Sequence, residues 1–273
     1  MKTKIFQICF EEYQLDKVDF RLTPFDNTEN AKPELREYHN FVKIMNDGLA
    51  DHLDAWGVFG PRWNEKLKVS SDVLFKEIED NPLKDVYIFN HARIHDALFF
   101  NVWDQGEYYH KGLKDVAKHI LQKLDYDVGI LDSLMGYHNT CYCSYFVGKQ
   151  YFWIEYLDFL EKVIKELDNL PKKLYDVFNQ SANYTRDKNL NLFPFLVERM
   201  FSTFISLKNY RIHAMPYDYS VYRNQIGNFT DVLQVLSNLK TLTIKYNSEE
   251  IFAQWNDLRT FILKNHPQIL NLD

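Results

Sequence analysis

Three short apolar runs, separated by segments of helical period, constrain this chain more than any other feature. KIFQICF (residues 4–10), AWGVFG (55–60) and DVYIF (85–89) are apolar almost throughout, the composition of strands buried on both faces. Between the first two lies a predicted helix over about 33–53, with Pro33 in its first turn and Leu35, Tyr38, Phe41, Val42, Met45, Leu49 and Leu53 on one face. A capped helical pattern over 70–79 leads into the third run. Alternation of this kind predicts an α/β layer architecture: a mixed, mainly parallel central sheet flanked by helices. Thr23, Pro24, Asp26 and Asn27 read as a loop.

The second half is more helical. Helices are expected around 92–100 and 113–124, a strand over 140–148 (TCYCSYFVG), and a strongly amphipathic helix over 151–167. Residues 174–192, rich in Asn179, Gln180, Asn183, Asn189 and Asn191, read as a mobile excursion. RIHAMP (211–216) is expected to close the sheet as an edge strand. Beyond Tyr222, two helical patterns at about 229–239 and 248–264 form a tail, so the division is a domain of 1–222 and a helical C-terminal extension of 223–273.

Charge and cysteine usage exclude several classes. Lys plus Arg number 32 against 38 Asp plus Glu, a net charge of −6 with no basic block, so nucleic acid is not an expected partner. Cys9, Cys141 and Cys143 lack C-x-x-C spacing, and the first residues carry no apolar signal core, which points to the cytoplasm. No run approaches the roughly 18 apolar residues that cross a bilayer. An aromatic content of 16% leaves peripheral membrane contact open.

Ligands of open α/β sheets bind at the carboxyl ends of strands, and three constellations follow such ends. In PFDNTEN (24–30), Asp26 and Asn27 suit hydrogen bonds to a base or to a ribose or sugar hydroxyl, and equally an Asx turn or helix cap. In FGPRWNEK (59–66), the Gly-Pro break throws Arg62 and Trp63 toward a cleft, where a guanidinium can grip a diphosphate and an indole can stack; a surface salt bridge is the alternative. The segment 89–113 gathers Asn90, His91, His95, Asp96, Asn101, Asp104, Gln105, Glu107 and His110. His91 and His95, four residues apart, would suit a metal on a regular helix, with no third ligand evident. Cys141 and Cys143 fall on one face of the expected strand as small buried residues. Asp125-Tyr126-Asp127 reads as a turn. No G-x-G-x-x-G, P-loop or G-x-S-x-G motif occurs.

Longer motifs carry a resemblance. CYCSYFVGKQYFWIEYLDFLEKVIKEL, a polar gap, and FPFLVERMFSTFISLKN resemble the second half of bacterial capsule and lipopolysaccharide-locus glycosyltransferases, notably the family whose first half carries an HYRR motif. The matching residues are Ser144-Tyr145-Phe146-Val147 and Glu198-Arg199. DNTEN at 26–30, Glu37-Tyr38, GVFGPRWNEK at 57–66 and NVWDQGEYYHKGL at 101–113 resemble a related set from polysaccharide-synthesis loci, so the likeness spans about 4–216. It implies a GT-A-like fold that binds a nucleotide-sugar donor and a saccharide acceptor, at the inner face of the inner membrane where the protein meets it. Two departures stand out. Gly60-Pro61-Arg62-Trp63 occupies the HYRR position, and Asn90-His91 stands where a D-x-D would hold Mn2+ or Mg2+, leaving that cofactor open.

Glycosyl transfer needs cationic or metal stabilisation of the leaving diphosphate, a base for the acceptor hydroxyl, and polar groups on the sugars. Arg62, His91 or His110 suit the first; Asp96, Asp104 or Glu198 the second; Asp26, Asn27, Asn90, Asn101 and Gln105 the third. Glu198 and Arg199 interrupt an otherwise apolar helix. Neighbours on a helix point about 100° apart, so they cannot face one partner: either they fix how the helix docks, or Glu198 reaches an acceptor pocket. A carbohydrate-binding protein without turnover and a metal-dependent hydrolase at His91, His95 and Asp96 are the competing readings.

Overall fold

The computed structural model describes residues 1–182 and 190–272. Its strands are β1 (Thr3–Cys9), β2 (Thr23–Asp26), β3 (Ala55–Phe59), β4 (Val86–Ile88), β5 (Phe146–Lys149) and β6 (Ile212–Ala214). They form one sheet in the order β2-β1-β3-β5-β4-β6. β5 runs antiparallel to β3 and β4, and the other pairings are parallel. Five strands therefore end on one edge of the sheet, and β5 starts there. This is the mixed, mainly parallel sheet flanked by helices that the alternating runs predict, with β6 at the expected edge.

The apolar runs are continuous because both faces of the sheet are covered, and the period of two sorts them. Phe6, Ile8, Trp56, Val58, Val86, Ile88 and Phe146 face one core. That core is built with the helices Arg36–Asn46, Gln150–Lys165 and Phe193–Leu207. There Trp56 stacks on Trp153 at 3.9 Å and Phe146 on Phe201 at 3.9 Å, and Trp153 Nε1 donates to the Trp56 carbonyl at 2.8 Å. Ile5, Ala55, Phe59, Tyr87 and Val147 face the other core with Trp63, Leu74, Phe75 and Ile78.

Gly57 lies where β3 meets β5. A Cβ there would stand 2.3 Å from the Phe146 carbonyl oxygen, a backbone atom that cannot move without breaking the β3–β5 ladder. Gly57→Ala is expected to lower stability by about 1–3 kcal/mol, read as a fall in the urea midpoint; an unchanged midpoint would show that the ladder gives way freely.

Four local expectations are corrected. Residues 23–26 form an edge strand, not a loop: β2 pairs only with β1, so Pro24, which has no N–H, costs the ladder nothing on its open side. The strand expected over 140–148 begins only at Phe146, because Cys143 has φ 67° and breaks the extended run, so Cys141 and Cys143 do not share a strand face. The helix expected over 33–53 is a 3-10 turn, Pro33–Leu35, followed by Arg36–Asn46, with Gly48 at φ 69° just beyond its end. Within 174–192 the chain carries part of a helix, Lys172–Phe178; Asn183 and Asn189 lie outside the described residues.

Residues beyond 223 pack against the helix Arg93–Leu98. The helices Phe229–Tyr246 and Glu249–Asn265 and the turn Pro267–Leu272 bury Leu233, Leu236, Trp255, Ile262, Ile269 and Leu270 against Ile94, Ala97, Leu98 and Phe99. Trp255 Nε1 donates to the Ala97 carbonyl at 3.0 Å.

Candidate functional site

A cavity of about 680 Å3 opens at the edge where the parallel strands end. Phe10 follows β1; Gly60, Pro61, Arg62, Glu65, Lys66 and Lys68 follow β3; His91 follows β4; Cys143, Ser144 and Tyr145 precede β5. Arg36, Glu37 and Glu198 contribute from two helices on one side, Tyr222 and Leu272 from the C-terminal part.

Local sequence explains the basic wall. Gly60-Pro61 ends β3, and the short helix Trp63–Leu67 turns on its two buried members, Trp63 and Leu67. Trp63 Nε1 donates to Gln7 Oε1 at 3.0 Å beneath the helix, so the indole expected in the cleft is instead an anchor. Arg62 and Lys66 are left on the cleft side, with Arg62 Nε donating to Glu65 Oε2 at 2.7 Å. Lys68 closes the helix in the left-handed conformation, φ 58°.

Backbone strain gathers at the same place. Asn30, Arg36, Lys68 and Cys143 have φ of 40°, 47°, 58° and 67°, and all four line this cavity. Only Asp125 and Asn247 share that conformation elsewhere among the described non-glycine residues, both at turns; the first belongs to the turn expected at 125–127. Each such residue costs on the order of 1 kcal/mol or more, a cost that persists where the surroundings over-determine the geometry, typically at binding sites.

The electrostatics single out Glu198. Burial pushes its carboxyl up to about 7, the Glu37 carboxylate adds to the rise, and Arg199 and Lys66 oppose it. Arg199 itself turns away, as the 100° helical step requires: Nε donates to the Val102 carbonyl at 2.9 Å, Nη1 to the Phe195 carbonyl at 2.8 Å, and Nη2 to Gln105 Oε1. The pair that looked paradoxical in the sequence is thus split between two tasks, with Arg199 docking the helix and Glu198 facing the cavity. His91 is held down to about 3 by burial, then by Lys66, His95 and Arg93, so it is a neutral group at physiological pH. The Cys143 thiol is pushed up to about 12, first by burial and then by Glu198, although Lys66 Nζ lies 3.2 Å from its sulfur; it is not a nucleophile near neutrality.

Of the residues singled out in the sequence, the structure brings Arg62, His91 and Glu198 together on this cavity. Asp26, exposed at the end of β2, accepts from Thr28 N at 3.0 Å and Thr28 Oγ1 at 2.8 Å, an Asx turn. Asn27 is buried, its amide reaching Asn30 Oδ1 at 3.3 Å. Asn90 is buried between Tyr217, Ala92 and Tyr142, donating to the first and accepting from the backbone of the other two. Asn101 caps the helix Val102–Tyr109 and donates to the Leu131 and Ser133 carbonyls. Asp96 accepts from Thr140 Oγ1 at 2.6 Å and Asp104 from Arg259 at 3.1 Å. Gln105 holds Arg199, and His110 stacks on Phe195 at 3.8 Å. His91 precedes the helix that carries His95, so the pair shares no helical face.

Sequence reasoning passed over Arg36 and Lys68, and met Glu37 and Lys66 only as parts of motifs. The available signal was the run Arg62 to Lys68 directly after a strand-ending Gly-Pro. Among the described residues, no three His, Cys, Asp or Glu side chains form a group that could hold a metal ion. The described residues thus do not form a protein cage for Mn2+ or Mg2+.

No family model matches the chain, and no curated protein matches it. Among solved structures, its fold is similar to the apo structure of the WbbM bifunctional glycosyltransferase, with a TM-score of 0.50 and 14% identity over 78% of this chain. The match spans 44% of that protein, less than half its length. The architecture seen here is therefore a glycosyltransferase-like fold, in keeping with the GT-A-like expectation. No helix among the described residues is long and apolar enough to cross a membrane.

Proposed function

We propose that the protein is a glycosyltransferase that moves a sugar from a nucleotide-sugar donor to a saccharide acceptor of a surface polysaccharide or lipopolysaccharide, in the cavity at the carboxyl ends of β1, β3 and β4. The observation that carries this reading is the pairing, within one cleft of a glycosyltransferase-like fold, of a basic wall with a carboxyl group titrating near neutrality. Arg62, Lys66 and Lys68 hold the donor diphosphate and take up the charge that develops on it. Glu198, when ionised, accepts the proton of the acceptor hydroxyl. The acceptor oxygen bonds to the anomeric carbon, and the bond from that carbon to the phosphate oxygen breaks, its electron pair leaving with the diphosphate. Neutral His91 contributes a hydrogen bond to the donor.

The experiment is to challenge the protein with a panel of nucleotide sugars, with and without manganese, following thermal shift and release of nucleoside diphosphate. At least one donor is expected to raise the melting temperature, and its turnover to survive EDTA, since side-chain cations supply the positive charge. If no sugar nucleotide shifts the melting temperature, the reading fails; if EDTA abolishes turnover, the role given to the basic wall fails.

A further inference from the structure

We propose that Glu37 is a second carboxyl group of this site, a positioning residue that sets the proton affinity of Glu198 and with it the pH range over which the cleft holds a base. The role of that base rests on the function proposed above; the coupling between the two carboxyl groups does not. Glu37 lies in the first turn of the helix Arg36–Asn46 and Glu198 in the middle of Phe193–Leu207. The two helices pack together, and both side chains line the same cavity. The reversal at Arg36, with φ 47° where the 3-10 turn gives way to the helix, brings residues 36 and 37 onto the cleft wall.

Three partly or fully buried groups of the cleft register the Glu37 charge. Glu198, Cys143 and Tyr145 each hold their protons more tightly because of it, burial being the larger cause in every case. The charged and titratable groups around Glu198 come from six places: Arg199 on its own helix; Arg36 and Glu37; Arg62, Glu65, Lys66 and Lys68 after β3; neutral His91 after β4; un-ionised Cys143 and Tyr145 before β5; and Tyr222 of the C-terminal part. The Glu37 carboxylate raises the proton affinity of Glu198, with Arg199 and Lys66 as the opposing cations. A carboxylate that shares a partly buried wall with Glu198 disfavours a second negative charge there, so Glu198 holds its proton to higher pH.

The test is a 13C-carboxyl NMR titration of the full chain labelled at glutamate, with Glu198→Gln assigning the resonance. Glu37→Gln is expected to lower the Glu198 midpoint by about one pH unit. Glu37→Asp, which keeps the charge, should restore most of it, and Lys66→Met should move the midpoint the other way. A Glu198 midpoint that is the same in wild type and Glu37→Gln overturns the proposal, and if Glu37→Gln does not fold, a midpoint that is the same in wild type and Glu37→Ala overturns it equally. The titration needs no substrate, so its outcome is separate from the function: coupling without turnover on any donor sinks only the glycosyltransferase reading. Turnover whose acid limb is unmoved by Glu37→Gln sinks only this one.

Discussion

Replacing Glu198 by Gln is expected to cut turnover by about two orders of magnitude or more while making the fold more stable above neutral pH. Removal of a general base costs roughly 10²–10⁴ in rate. Stability moves the opposite way because burial and Glu37 disfavour the carboxylate that the proposed transfer requires. The sign follows from linkage. With a folded value of about 7 against 4.5 for the free group, protonated Glu198 contributes stability that is fully present below about pH 4.5 and is lost as the pH rises to about 7. Glutamine keeps the neutral form at every pH. It should therefore leave stability unchanged near pH 4 and raise it by on the order of 2–3 kcal/mol at pH 8. The wild-type kcat/KM should climb through pH 7 on its acid limb, and His91, held neutral far below that range, cannot be its source. A Glu198→Gln protein that is both inactive and less stable at pH 8 would mean that the carboxylate is a structural anchor.

The second large effect concerns Lys240, buried in the helix Phe229–Tyr246. Its ammonium donates to the carbonyls of Asp96 at 2.5 Å and Phe99 at 2.8 Å and lies 3.6 Å from Asp96 Oδ1. Those carbonyls stand toward the end of the helix Arg93–Leu98, where intrahelical donors run out. Lys240→Met keeps most of the volume but strands a buried carboxylate and two carbonyl oxygens. A loss of about 3–5 kcal/mol is expected from breaking such a buried pair, read as a shift of the urea midpoint. Asp96→Asn combined with Lys240→Met should cost less than the two single changes added together, because the partners act as a unit. An additive result, or a midpoint within error of wild type for Lys240→Met, would show that this contact does not hold the C-terminal helices in place. Turnover of Asp96→Asn measured beside its urea midpoint separates the two roles open to Asp96, since a structural carboxylate loses stability on substitution and a catalytic one loses turnover.

The parts of the fold legible in the sequence were those with a strong period. The runs at β1, β3 and β4 are apolar almost throughout because helices cover both faces of the sheet, and the long helices show their stripes for the same reason. Illegible were features decided by the third dimension. Nothing in TPFD marks it as a strand until β1 offers it a free edge, and nothing in TCYCSY marks the left-handed Cys143 that ends its extended run. The site divides in the same way. Arg62, His91 and Glu198 could be found because a strand end or an out-of-place charge marks each. Asp96 and Asp104 carry equally suggestive side chains, yet the lysine and the arginine that engage them come from 144 and 155 residues away, and Asn101 reaches carbonyls 30 and 32 residues away. Sequence proximity between residues 89 and 113 thus overstated how many of those polar groups share one hollow.

The most direct measurement is a crystal structure of the protein soaked with uridine or cytidine diphosphate. The expected result is a diphosphate seated against Arg62, Lys66 and Lys68, with Glu198 on the opposite side of the space left for the sugar. Nucleotide bound at another surface, with the cavity between β1, β3 and β4 unvisited, would contradict the assignment of this cleft.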